Sequence, residues 1–218
     1  MPYISLKNVT YTYPGRDEPA VKDVSLDIFN SEKTALTGLN GSGKSTLAKL
    51  MIRLLKKQQG DIYMENRSIE GYSLSEIGRR VGYIYQNPNE MLFSASVYGE
   101  IAFGLTWQGK SKSEIDSECE KHLRYFGLED IRDNFPFNLS DGQKQLVVLI
   151  AVLVLKPKML ILDEPTRSLD SHKKILLQAV LQDIWSQGTG IVIISHDNDF
   201  VREFQGRNIH MAKGEVLQ

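Results

Sequence analysis

Gly38-Leu39-Asn40-Gly41-Ser42-Gly43-Lys44-Ser45 follows the short apolar run Thr34-Ala35-Leu36-Thr37 and precedes Thr46 to Leu55, a stretch with helical periodicity. The order strand, glycine-rich turn, helix is the context in which the pattern G-x-x-x-x-G-K-[ST] acquires its chemistry. Glycines let the backbone curl so that successive N–H groups point inward at phosphate oxygens, and the following helix adds the positive end of its dipole. Lys44 is then placed to reach the β- and γ-phosphates of a nucleotide. The Ser45 hydroxyl is placed to bind Mg²⁺, which keeps most of its octahedral shell for water and phosphate oxygens. The loop alone does not specify which phosphate chemistry the chain performs.

The composition around this loop is that of an ordinary globular chain. With 218 residues, 41% hydrophobic and 9% aromatic, it can bury a sizeable core, which excludes disorder as its main theme and suggests one domain with a lobe or two subdomains. A formal net charge of -1 lacks the basic excess by which generic nucleic-acid binders neutralise phosphates. Cys119 is alone, so neither an internal disulfide nor a multi-cysteine zinc site is possible, and a reducing compartment is expected. No secretory signal is visible near the N-terminus. The longest apolar run, Leu146 to Leu155, is flanked by Lys144 and by Lys156-Pro157-Lys158. Crossing a bilayer takes roughly 20 residues. The chain is expected in the cytoplasm, with any membrane role exercised through a partner.

Upstream of the loop, Ile4 to Tyr13 and Val21 to Phe29 alternate like half-buried strands around the turn Pro14-Gly15-Arg16-Asp17, which predicts an antiparallel pair. Downstream, Gly60 to Met64 and Val81 to Tyr85 read as short strands. Asn87-Pro88-Asn89 breaks the pattern, and helices are predicted between Ser96 and Gly127, including a polar one over Ser113 to Phe126. A loop at Asn134 to Asn138 leads to a long apolar helix starting at Ser140. Two buried strands, Met159 to Asp163 and Ile191 to Ser195, flank a helix over about 171–187. Strands alternating with helices imply an α/β fold with a mainly parallel sheet. The segments 1–86 and 156–218 form its core, with an antiparallel β subdomain at the start, and 87–155 is an inserted helical subdomain.

Two features choose among phosphate-binding machines. Met159-Leu160-Ile161-Leu162-Asp163-Glu164 is a buried strand ending in adjacent carboxylates, and ligands of such sheets sit beyond the carboxyl ends of the strands. Asp163 is therefore a candidate Mg²⁺ holder, and Glu164 a candidate general base for an attacking water. Leu139-Ser140-Asp141-Gly142-Gln143 supplies a serine N-cap and a glycine in the first turn of the long apolar helix.

Together with Ser168-Leu169-Asp170 and Ser195-His196-Asp197, these motifs occur in the order and approximate spacing of one family over essentially the whole chain. The sequence resembles the ATPase subunit of an ATP-binding cassette (ABC) transporter, a P-loop NTPase. The resemblance implies ATP and Mg²⁺ as ligands. Gly38 to Ser45, with Leu39, Asn40, Gly41, Ser42, Gly43 and the following Thr46, match the Walker A nucleotide loop; Met159 to Asp163 match the Walker B strand, and Glu164 the catalytic carboxylate. Gln86 matches the Q-loop glutamine, which touches Mg²⁺ or the lytic water. Leu139 to Gln143 match the signature, Asp170 the D-loop aspartate and His196 the switch histidine. Tyr13 resembles the aromatic that stacks on adenine, with Tyr11 as its rival. In such proteins two cassettes close head to tail, and Ser140, Asp141, Gly142 and Gln143 of one complete the ATP site of the other.

The signature departs from Leu-Ser-Gly-Gly-Gln at Asp141, and Leu146 stands where a basic residue is usual. Either the carboxylate repels a triphosphate, or it points away and favours the helix dipole. The first case weakens this half-site and favours pairing with a different cassette over a homodimer. Gln86 to Phe93 and Val97 to Gly104 are similar to the stretch after the Q-loop in energy-coupling-factor (ECF) ATPases, which power uptake of vitamins and transition-metal ions. That similarity implies a second ATPase and a transmembrane coupling subunit as partners, no direct nucleic-acid partner, and a peripheral place on the inner face of the membrane. Met91, Leu92, Phe93 and Phe103 are open to two readings, packing between subdomains or a groove for a partner's helix. Members of that branch often continue past residue 218, so the chain is either a short cassette or one excised from a longer polypeptide. The rival function is a nucleotide-gated switch acting on nucleic acid or ribosomes. His122, His172 and His210 lack ligand-like spacing and suit surface or capping roles.

Overall fold

In the computed structural model, which describes residues 1–217, the chain begins with strands β1 (Ile4–Tyr11) and β2 (Val21–Ile28), then β3 (Lys33–Thr37) and helix α1 (Lys44–Met51). Gln218, the last residue of the predicted core segment, lies outside the described residues. Next come β4 (Gln59–Met64), β5 (Arg67–Ser68), α2 (Leu74–Gly78) and β6 (Val81–Ile84). The helices α3 (Val97–Trp107), α4 (Lys112–Phe126) and α5 (Asp141–Leu153) follow, then β7 (Met159–Asp163), α6 (Ser171–Ser186) and β8 (Gly190–Ile194). The chain closes with α7 (Asn198–Phe204), β9 (Arg207–Ala212) and β10 (Glu215–Leu217).

Two sheets result. A four-stranded antiparallel sheet runs β2-β1-β4-β5, and a six-stranded sheet runs β10-β9-β3-β8-β7-β6, parallel except where β10 joins β9. Period-two alternation splits the core between the faces of the larger sheet. Leu160, Leu162, Ile191 and Ile193 face the cluster built with α3, α4, α5 and α6, while Ile161, Val192 and Ile194 face the cluster built with α1 and the antiparallel sheet. Each fully buried Ile or Leu contributes about 1.5–3 kcal/mol relative to exposure, so β7 and β8, buried at every residue, hold the centre of the fold in place.

Several element boundaries differ from those expected of the sequence. The expected strand to Tyr13 ends at Tyr11, the one to Phe29 at Ile28, and the one to Tyr85 at Ile84. The expected helix to Leu55 stops at Met51, because Arg53 takes a left-handed conformation (φ 58) and closes the end. Leu54 N–H donates to Lys49 O at 2.9 Å and Arg53 N–H to Leu50 O at 3.0 Å, the paired bonds of a Schellman cap. The loop expected at 134–138 contains a short 3-10 turn over Pro136–Asn138. α4 ends on Gly127 in a left-handed conformation, as its sequence suggests. Ser140 caps α5 as expected, accepting from Gln143 N–H while the Gln143 side chain accepts from Ser140 N–H. The α2 helix, α7 and the β9–β10 hairpin are elements that the sequence pattern did not announce.

Candidate active site

The glycine loop leaves β3 and enters α1, and its path depends on residues without a Cβ. At Gly38 (φ +136) a Cβ would lie 2.1 Å from Met211 O, and at Gly43 (φ +105) 2.2 Å from Ala20 O. The loop is tied to the C-terminal hairpin, since Gly214 N–H donates to Ser42 O at 3.0 Å. Gly43 offers no side-chain cap and the first turn of α1 carries no acid, so the positive end of the helix is left for a ligand. Lys44 folds back over the loop, its Nζ donating to Gly38 O at 2.8 Å and Leu39 O at 2.9 Å. Burial lowers the Lys44 pKa, while Glu164 and Asp163 oppose that shift.

The end of β7 faces this loop. Ser45 Oγ donates to Asp163 Oδ1 at 3.0 Å, and the Tyr83 hydroxyl donates to Oδ2 at 3.1 Å. Asp163 is only 4% exposed, and burial raises its pKa against the opposing effect of those two bonds. A buried carboxylate satisfied by two hydroxyls is suited to a hard cation that takes few protein ligands, so Ser45 and Asp163 fit Mg²⁺. No cluster of three or more His, Cys, Asp and Glu is present among the described residues, which is no obstacle to such an ion.

Glu164 leaves the strand in a left-handed conformation (φ 50), with its N–H donating to Ile194 O at 2.8 Å. That turn points the side chain inward. Its Oε2 lies 2.8 Å from His196 Nδ1 and accepts from His196 N–H at 3.4 Å. Glu164 also lines a cleft of about 1010 Å³ with Asn40, Gly41, Gly43, Lys44, Ser45, Thr46, Tyr13 and Gln86. Tyr13 stands at the cleft's edge, its hydroxyl 3.1 Å from Thr46 Oγ1, whereas Tyr11 is buried and meets the Tyr13 ring edge-on at 5.0 Å. Of the two tyrosines, Tyr13 is the one on the cleft wall.

The remaining motif residues lie elsewhere. Ser140 to Gln143 and Asp170 are not part of that cleft wall. Instead they adjoin each other: Asp170 caps α6, and Lys173 Nζ, ion-paired to Asp170 at 3.0 Å, lies 3.3 Å from where a Gly142 Cβ would be. The Asp141 side chain is 66% exposed and 3.9 Å from Lys144 Nζ. Arg16 and Asp17, which the sequence marks only as part of a turn, also line the cleft, as does Glu18, to which the sequence assigns no role. Tyr83 was missed as a site residue. Its only sequence signal was a polar tip on a strand otherwise buried throughout.

Residues 21–167 match the ABC transporter family. A candidate ABC transporter ATP-binding protein of Pyrococcus furiosus is 35% identical over 98% of this chain and 81% of its own length. Another from Caldanaerobacter subterraneus is 38% identical over 98% of this chain and 89% of its own. The chain spans only 37% of a longer relative from Streptococcus pneumoniae. Among solved structures, cbiO1 of Clostridium perfringens, described as part of the ABC transporter complex cbiONQ, superposes with a TM-score of 0.86 at 33% identity, covering 100% of this chain and 87% of that one. The cassette MJ0796, solved as a dimer in a post-hydrolysis state with ADP and Pi, gives 0.89 at 27% identity, with 99% and 97% covered. The chain belongs to the ABC transporter ATP-binding family. It is an ATP-binding ABC transporter ATPase with the α/β cassette fold of that family. Among the described residues no helix is long and apolar enough to cross a membrane.

Proposed function

We propose that this chain powers ECF-type uptake of a vitamin or transition-metal ion, pairing with a second cassette beneath a membrane coupling subunit. The ATPase chemistry rests chiefly on one observation, the meeting of Ser45 and Asp163 at 3.0 Å beside the inward-turned Glu164. Triphosphate binds the loop amides and Lys44, and the adenine stacks on Tyr13. Ser45 and Asp163 hold Mg²⁺, which supplies positive charge against the phosphate oxygens. Glu164 orients and deprotonates the lytic water, Gln86 faces that water from the cleft wall, and His196 turns from Glu164 to the γ-phosphate. Proton transfer to a positioned carboxylate contributes about 10²- to 10⁴-fold in such reactions. Ser140, Gly142 and Gln143 offer the start of α5 to the other cassette's phosphate, with Asp170 beside them. Loss of the γ-phosphate removes the stabilisation of the closed pair, and the resulting population shift drives the membrane subunit.

The similarity of Gln86 to Phe93 and Val97 to Gly104 to ECF ATPases supports the uptake reading, as does the likeness to a component of cbiONQ. Affinity purification of the tagged chain from solubilised membranes tests it. A membrane coupling protein and a second ATPase are expected to co-purify, with ATPase activity that responds to transported substrate. Recovery on ribosomes or nucleic acid, with no membrane protein, would instead favour the switch reading.

Asp141 has its own expected outcome. Two unit charges about 4 Å apart in water repel by roughly 1 kcal/mol, so if the Asp141 carboxylate faces the triphosphate, Asp141→Gly raises ATPase activity of the isolated protein about fivefold. Unchanged turnover would show that Lys144 already neutralises the carboxylate or that it faces away.

A further inference from the structure

Tyr83 is a buried polar side chain for which the mechanism above has no task. In the parallel pairing of β6 with β7, Tyr83 is opposite Ile161, so the next side chain on that face of β7 is Asp163. The hydroxyl reaches Asp163 Oδ2 at 3.1 Å, while Ser45 Oγ takes Oδ1 at 3.0 Å. The ring itself is held: Tyr85 meets it edge-on at 5.0 Å, and Lys49 Nζ covers the Tyr85 ring 5.6 Å from its centroid. A carboxylate with one oxygen bonded to an immobile donor does not rotate freely about its Cβ–Cγ bond. A phenol also orients the carboxylate without placing a competing positive charge beside it, as Lys or Arg would.

We infer that Tyr83 is a positioning residue whose hydroxyl sets the Asp163 carboxylate, so that Oδ1 faces Ser45 and the divalent cation that accompanies ATP. The inference rests on the proposed role of Asp163. Hydrogen-bond partners of metal-ligating groups fix ligand orientation, and their loss commonly costs about 10- to 100-fold in metal affinity or activity. Tyr83→Phe deletes one oxygen atom and keeps the ring.

Calorimetric titration with ATP, in Mg²⁺ and separately in EDTA, tests this on the wild type, Tyr83→Phe and Tyr85→Phe. The ratio of the two affinities is the quantity of interest, because a merely structural role would weaken both equally. The ratio is expected to fall about tenfold in Tyr83→Phe with EDTA binding unchanged, and to stay at the wild-type value in Tyr85→Phe. An unchanged ratio in a folded Tyr83→Phe, checked by thermal melting without nucleotide, overturns the inference while leaving the Mg²⁺ assignment intact. Equal weakening in both buffers overturns it too. A wild type indifferent to Mg²⁺ removes the Asp163 assignment and this inference with it.

Discussion

Glu164→Gln leaves ATP binding intact and reduces turnover by about 10²- to 10⁴-fold, the range that a positioned general base supplies. The substitution is nearly isosteric; it removes the negative charge that also acts on Lys44 and, with it, the capacity to take a proton. Glu164 is 7% exposed, so the side chain is confined by its surroundings and the amide occupies the same space. The contact with His196 Nδ1 at 2.8 Å can persist, because the Gln carbonyl still accepts. ATP affinity therefore stays within a few fold, and the closed pair accumulates because the γ-phosphate is not lost. Phosphate release under saturating ATP measures the first effect, and light scattering with ATP against ADP the second. Turnover retained at the wild-type rate in the assembled complex would contradict the base assignment.

Lys44→Ala weakens ATP binding by about 1.5–3 kcal/mol, the usual worth of hydrogen bonds to a charged group, or roughly 10- to 100-fold in Kd. Two losses combine. The ammonium no longer meets the terminal phosphates, and the loop loses the bonds by which Lys44 Nζ gathers the carbonyls of Gly38 and Leu39. The second loss lets the loop amides wander from the geometry that a phosphate needs. Equal affinity for the variant by calorimetry would mean that triphosphate binds somewhere other than the loop.

Those two residues were legible in the sequence for different reasons. Lys44 sits in a motif whose spacing is local backbone chemistry, readable wherever strand, glycines and helix follow one another. Glu164 was readable because β7 is apolar up to Asp163 and then ends in two acids. The N-cap of α5 at Ser140 was equally visible, whereas the reciprocal bond to the Gln143 side chain was not. What the sequence hid was long-range pairing. Nothing in Gly60 to Met64 says that β4 joins β1 in the antiparallel sheet, or in Val81 to Ile84 that β6 joins β7 in the parallel one. The same limit hid the contacts of Tyr83 with Asp163 and of His196 with Glu164, since both cross between elements far apart in the chain. The C-terminal hairpin was a different failure. Ala212 pairs with Glu215 across Lys213 and Gly214, both with positive φ, and Ile209 and Met211 alternate into the core. A two-residue turn with glycine between alternating apolar positions was a usable signal.

The most direct measurement is a crystal structure of the Glu164→Gln protein with Mg²⁺ and ATP. The triphosphate is expected inside the loop from Gly38 to Thr46, with Mg²⁺ on Ser45 Oγ near Asp163, the γ-phosphate within one water of residue 164, and the base against Tyr13. Nucleotide bound away from that loop, or a metal that engages neither Ser45 nor Asp163, would contradict the assignment of ATP hydrolysis to this cleft.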